Sequence, residues 1–268
     1  DHYRAYMEAL DVLGERPMVI RTVDLGADKF MNVHDVLPEK NPFMGRRSIR
    51  YCMDHPEILN SQLRAILRAS QHGNIKVMFP LITCLEELQF LKAMLKQLRQ
   101  EFDDDGMDYD KDMDVGIMVE VPSAAVCADV LAQNCDFFSI GTNDLIQYTL
   151  AIDRANEHVA HMYRPINAAV LRMIRTTARA AHDQNIPVGI CGEMGSEITY
   201  AILLVGLGID HFSVAPPVIL PELKKIVRTI SHEDAVNFAE EVLSHPDMDG
   251  AMERVMELNR ELLPDLFP

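Results

Sequence analysis

The sequence is short of several things, and each absence narrows what it can be. Its five cysteines, Cys52, Cys84, Cys127, Cys135 and Cys191, form no CxxC pair. An odd, scattered set fits a reducing, cytoplasmic setting. No apolar run reaches the length of a membrane span, and the N-terminus carries no basic-plus-apolar signal segment. Positive charge is scarce: 25 Lys and Arg stand against 41 Asp and Glu, a net charge of −16. That balance argues against nucleic acid or an anionic membrane as partner. An anionic substrate would need a local cluster of arginines. There is no low-complexity segment or short repeat. What the chain does have is apolar content, 48% of 268 residues. This is enough for a substantial core, in one large domain or two small ones.

Hydrophobic periodicity predicts strands alternating with helices. His2–Glu15 reads as an amphipathic helix and Met18–Asp24 as the first strand, with a loop running to Pro42. Asp54–Ser70 is predicted as a helix, Ile75–Ile82 as the second strand and Leu85–Phe102 as a helix. The Asp-rich stretch Asp103–Asp114 reads as a solvated loop; its spacing does not match an EF-hand. Val115–Glu120 is the third predicted strand, Phe137–Ile140 the fourth, Pro187–Cys191 the fifth and Asp210–Val214 the sixth. Between them lie helices at Ala124–Gln133, Leu145–Ile152, Ala168–Gln184 and Thr199–Val205. Further helices are expected at Glu222–Arg228, His232–Ser244 and Ala251–Leu262. The alternation implies an α/β fold with a parallel sheet buried on both faces. It suits a TIM-type (β/α)8 barrel of about eight strands, short of roughly two.

The polar residues fall in one register. Arg21 and Asp24 end the first strand, and Glu120 ends the third. Asn143 and Asp144 follow the fourth, in a tight Thr142-Asn143-Asp144 turn. Cys191 and Glu193 follow the fifth. In a barrel these carboxyl ends converge on the catalytic face, and independent surface residues would not share that placement.

The segment DFFSIGTNDLIQYTLAIDR resembles the signature of phosphoenolpyruvate (PEP)-utilising enzymes: S-x-G-[ST]-N-D, then x-Q, then an arginine ten residues after the Asp. Ser139, Gly141, Thr142, Asn143, Asp144, Gln147 and Arg154 meet it. IRTVDLGADK, NPFMGRRSIR, IKVMFP, VGIMVEVPSA and VGICGEM occur in family order. Together they extend the resemblance over nearly the whole chain, to the PEP-binding domain of the Enzyme I group of bacterial sugar phosphotransferase systems. The resemblance implies one barrel domain over residues 1–268, with C-terminal helices over 222–268. It also implies that the barrel's first two βα units, with another phosphate-binding Arg, precede Asp1.

By that resemblance Glu120 and Asp144 hold Mg²⁺, for which two carboxylates with water and substrate oxygens are suited. Arg21 and Arg47 bind the phosphate, with Arg46 an alternative to Arg47, because a planar guanidinium meets phosphate oxygens in pairs. Asn143 adds a donor to the phosphate, and Arg154 binds the substrate carboxylate. Cys191 is the general acid that protonates the enolate of pyruvate. Lys29 and Glu193 are further candidate contacts. Several have a plainer reading. Asn143-Asp144 is also an ordinary helix cap, Glu120 a strand-end cap, Arg47 a surface charge, Arg154 a helix-surface ion pair, and Cys191 a buried structural thiol.

The same resemblance implies PEP as substrate, a homodimer, and a phosphoryl acceptor histidine on a separate amino-terminal domain that serves a small phosphocarrier protein. A Gly-rich run leading to Thr-Ser-His, which would mark that acceptor, is absent, so the chain is expected to bind PEP without completing its own transfer. After GEM the family has Ala-Gly-Asp, where this chain has Gly195-Ser196-Glu197. Two other readings remain: a Mg²⁺-dependent lyase or aldolase working through a pyruvate enolate, and a non-catalytic PEP-sensing module.

Overall fold

The computed structural model describes residues 1–26, 39–215 and 217–267. It divides into two compact units, Asp1–Met118 and Val119–Pro268. The expected loop to Pro42 falls partly outside the described residues, and Lys29 wholly so. No described helix is long and apolar enough to cross a membrane.

In the first unit β1 (Met18–Arg21) pairs in parallel with β2 (Ile75–Phe79), and β2 with β3 (Val115–Val119). Helix α1 (His2–Leu13) packs on α3 (Pro56–Ser70), which follows the short α2 (Ile49–Asp54). The helix expected over Asp54–Ser70 thus starts at Pro56, and a separate helix precedes it. His55, immediately before Pro56, has a non-helical backbone, since a following proline disfavours the helical region. Leu59, Leu63, Ile66 and Leu67 give α3 one buried stripe. Helix α4 (Leu85–Asp104) buries Leu88, Leu91, Leu95, Leu98 and Phe102 at alternating spacings of three and four.

The second unit holds β4 (Phe138–Gly141), β5 (Val188–Cys191) and β6 (His211–Phe212), again all parallel. The helix expected over Ala124–Gln133 is two short ones, α5 (Pro122–Val126) and α6 (Ala128–Ala132), broken at Cys127. The remaining helices are α7 (Thr142–Leu150), α8 (Ala168–Asp183), α9 (Glu193–Ser196), α10 (Ala201–Gly206), α11 (Leu220–Thr229), α12 (His232–Ser244) and α13 (Met248–Leu262). Three open on a side-chain cap: Asn167 accepts from the Ala169 N–H, Ser231 from Asp234 and Asp247 from Gly250. In both units, therefore, parallel strands alternate with helices, as the periodicity requires of an α/β chain. All five cysteines are free thiols.

Candidate functional site

In the first unit the site residues gather where β1 ends. The ladder continues one residue past the strand, with the Thr22 N–H on Met78 O at 2.9 Å. At Val23 a side chain takes over. Gln62 on α3 accepts the Val23 N–H at 2.7 Å and donates to Arg21 O and Tyr6 Oη. This is why the predicted strand to Asp24 stops at Arg21. The released segment carries Asp24, whose carboxylate takes Arg47 Nη2 at 3.1 and 3.3 Å and lies 3.6 Å from Arg21 Nη1. Arg46 turns elsewhere, to an exposed ion pair with Asp54 at 2.6 Å. Between the adjacent arginines, Arg47 is thus the buried one that shares a partner with Arg21. The ring of Phe43 lies 5.9 Å from the Arg47 guanidinium carbon.

The second unit holds the other candidates. Glu120 comes directly after β3 and is buried, as is Asp144. The expected Thr142-Asn143-Asp144 turn is instead the first turn of α7, with Gly141 in a non-helical conformation ahead of it. The correction has a tertiary cause. Thr142 does not cap its own helix but donates Oγ1 to Cys191 O at 2.9 Å, so the chain can wind immediately after the strand. Asp144 then stands in the first turn, where a carboxylate meets the positive end of the helix dipole.

Two junctions, β4–α7 and β5–α9, are stitched together. Asn143 Oδ1 accepts the Glu193 N–H at 2.9 Å, which orients the amide and leaves Nδ2 as its donor end. Cys191 Sγ donates to Ile140 O at 3.5 Å and receives Ser139 Oγ at 3.4 Å. Gly192, between the two junctions, has φ +94°, and a Cβ there would lie 2.5 Å from Thr142 Oγ1 and 2.9 Å from Asn143 Oδ1. Gly192→Ala is expected to cost about 2 kcal/mol and roughly 5 °C in Tm, because strain and collision add. Thermal unfolding followed by circular dichroism measures it. An unchanged Tm would mean the junctions can part without cost.

Arg154 does not lie on the surface of α7. The helix ends at Leu150, Ala151 turns left-handed, and Arg154 stands in the loop beyond. Gln147 holds that loop, accepting the Arg154 N–H on Oε1 at 3.1 Å. Arg154 Nη1 is buried with no hydrogen-bond partner among the described residues. Sequence reasoning missed Tyr163. Its hydroxyl donates to Asn143 O at 3.3 Å and meets the Arg154 side chain. Burial pushes its pKa up to about 12, against the lowering effect of Arg154 and with help from Glu193 and Asp144. It remains a donor at neutral pH. Burial and the neighbouring Glu193 also raise the Glu197 carboxyl. No spacing in the sequence marks Tyr163; it reaches Asn143 only because the loop folds back on α7.

Arg21 and Arg47 therefore belong to the first unit, and Glu120, Asn143, Asp144, Arg154 and Cys191 to the second. Among the described residues no three His, Cys, Asp or Glu side chains gather as a metal cage.

Residues 1–232 match the family described as PEP-utilising enzyme, PEP-binding domain. The chain is 44% identical over 246 residues to the phosphoenolpyruvate-protein phosphotransferase of Haemophilus influenzae, covering 92% of this chain and 43% of that protein. With the protein of the same name from Bacillus subtilis it shares 46% over 245 residues, 91% of this chain and 43% of that one. The Staphylococcus carnosus relative is 39% identical over 260 residues, 97% and 45% of the two chains. The chain thus spans under half the length of these relatives. A solved citrate lyase from Burkholderia xenovorans superposes with a TM-score of 0.49 at 14% identity, over 78% of this chain and 70% of that one, a likeness too distant to bear on function.

Proposed function

Because the chain belongs to the family of PEP-binding domains of PEP-utilising enzymes, we propose that it binds PEP for a phosphotransferase that passes the phosphoryl group to a histidine on another domain and releases pyruvate. The observation that carries this reading is the stitching of β4–α7 to β5–α9, which sets an oriented amide and a thiol at neighbouring strand ends. The relatives above are phosphotransferases by name, which favours this reading over a Mg²⁺-dependent lyase or a sensing module.

Each side chain then has one task. Arg21 and Arg47 bind the phosphate, and Asn143 Nδ2 donates to it. Arg154, with buried donor capacity to spare, binds the carboxylate. Glu120 and Asp144 are buried hard-oxygen donors that fit Mg²⁺, an ion that keeps several waters and takes further oxygens from a phosphate. Bound there, the ion would neutralise charge on substrate oxygens. When the P–O bond breaks, its electron pair stays on oxygen as the enolate of pyruvate. Cys191 then gives its S–H proton to the methylene carbon, forming the methyl C–H bond, and Ser139 Oγ is within reach of the sulfur that keeps the charge. The thiol is suited to this because an ordinary one, with pKa about 8.5, is protonated at neutral pH.

The same reading makes residues 1–268 one domain of (β/α)8 type, with C-terminal helices over 222–268. It works as a cytoplasmic homodimer alongside a histidine domain and a small phosphocarrier protein. Calorimetry of PEP with Mg²⁺, and again in chelator, tests it. Affinity is expected to fall at least about tenfold without the metal. Pyruvate binding as tightly as PEP would refute the phosphate roles and favour the lyase.

A further inference from the structure

Asp24 has no task in that mechanism, yet both proposed phosphate-binding arginines converge on it. Its side chain is 10% exposed and that of Arg47 9%, while Arg21 is 45% exposed. Arg47 bridges both carboxylate oxygens through one nitrogen, Nη2, and Arg21 approaches Oδ2 through Nη1. Arg21 thereby keeps the other edge of its fork for a ligand. Asp24 is itself held. On one side Gln62 takes the Val23 N–H, and on the other Leu25 O accepts the Ser48 N–H at 2.7 Å, directly after Arg47. Ser48 has φ +55°, an unusual conformation for a non-glycine residue. The Cys52 thiol lies buried close by, its pKa pushed up to about 11 by burial and then by the charge of Asp24.

Two guanidinium groups brought to one phosphate repel each other, and each is a long, mobile side chain. A fixed carboxylate between them removes the repulsion and the freedom before the ligand arrives. We propose that Asp24 is a positioning residue that sets the spacing and aim of Arg21 and Arg47 as a pair for the phosphate group. The proposal rests on the phosphate roles of those arginines.

The test compares PEP with pyruvate, which lacks the phosphate, both in Mg²⁺ and by calorimetry, on wild type and Asp24→Asn. Asp24→Asn keeps the shape and removes the charge. PEP affinity is expected to fall about tenfold, with pyruvate affinity within about twofold of wild type. Asp24→Glu, which keeps the charge but displaces it by one methylene, is expected to weaken PEP selectively and by less. It carries the same comparison if Asp24→Asn fails to fold. Equal losses for PEP and pyruvate would make Asp24 merely structural, and unchanged or tighter PEP binding would also overturn the proposal. Wild type that binds PEP no better than pyruvate would instead overturn the phosphate reading, a separate outcome.

Discussion

Replacing Cys191 with alanine is expected to slow exchange of the methyl hydrogens of pyruvate with deuterated solvent by roughly 10²–10⁴-fold, the usual contribution of a positioned acid or base. The exchange is the protonation step run backwards and forwards, so it needs no phosphoryl acceptor. It isolates the thiol from every step that involves the phosphate. The geometry gives the reason for expecting so much. Cys191 ends β5, and its sulfur is held by Ile140 O and Ser139 Oγ from the neighbouring strand. PEP affinity should stay within a factor of about two, because a general acid contributes to proton transfer and not to ground-state binding. Nuclear magnetic resonance of the methyl signal reads the rate. Exchange that continues at the wild-type rate in Cys191→Ala would remove the thiol from the mechanism.

Arg154→Ala is expected to weaken Mg²⁺-dependent PEP binding by about 30-fold or more, close to 2 kcal/mol, the cost of losing one buried charge-assisted pairing. The guanidinium is already set in place. Gln147 takes its backbone N–H, Tyr163 meets its side chain, and Nη1 is buried with no hydrogen-bond partner among the described residues. A buried donor left in that state costs free energy, and a carboxylate that satisfies it recovers that cost on binding. Arg154→Lys should recover only part of the affinity, since a point charge cannot present a planar fork. Pyruvate, which retains the carboxylate, should lose as much as PEP. Equal calorimetric affinities in wild type and Arg154→Ala would end the assignment.

How far these groups could be read from sequence depended on whether local pattern or tertiary contact decided them. The apolar runs that became β2, β3 and β5, and the three-four spacing of α4, are local signals and survive folding. The β4–α7 junction was legible as a strand followed by polar residues. Whether Thr142 opened a turn or a helix was not, because its hydroxyl is committed to Cys191 O, distant in sequence. The break at Cys127 was missed because apolar periodicity continues across it, and helix α2, six residues long, is too short to show a period. Arg46 and Arg47 are indistinguishable on composition, and only burial and the shared partner Asp24 separate them. Gln62 and Tyr163 carry no spacing signal at all. Each matters through a backbone group far along the chain, Val23 N–H for one and Asn143 O for the other.

The connection from Ala151 to Tyr163 differs in kind from an ordinary surface link. Gln147 fastens its beginning, through Ile152 N–H on the carbonyl and Arg154 N–H on the amide, and Tyr163 fastens its end to the residue beside Asp144. Surface links usually accept extra residues at little cost. This one is measured at both ends against a single helix of nine residues, so its length works as a ruler for where the guanidinium stands. An extra residue between Ala151 and Arg154 would break the hold of Gln147 on the Arg154 N–H and displace the guanidinium.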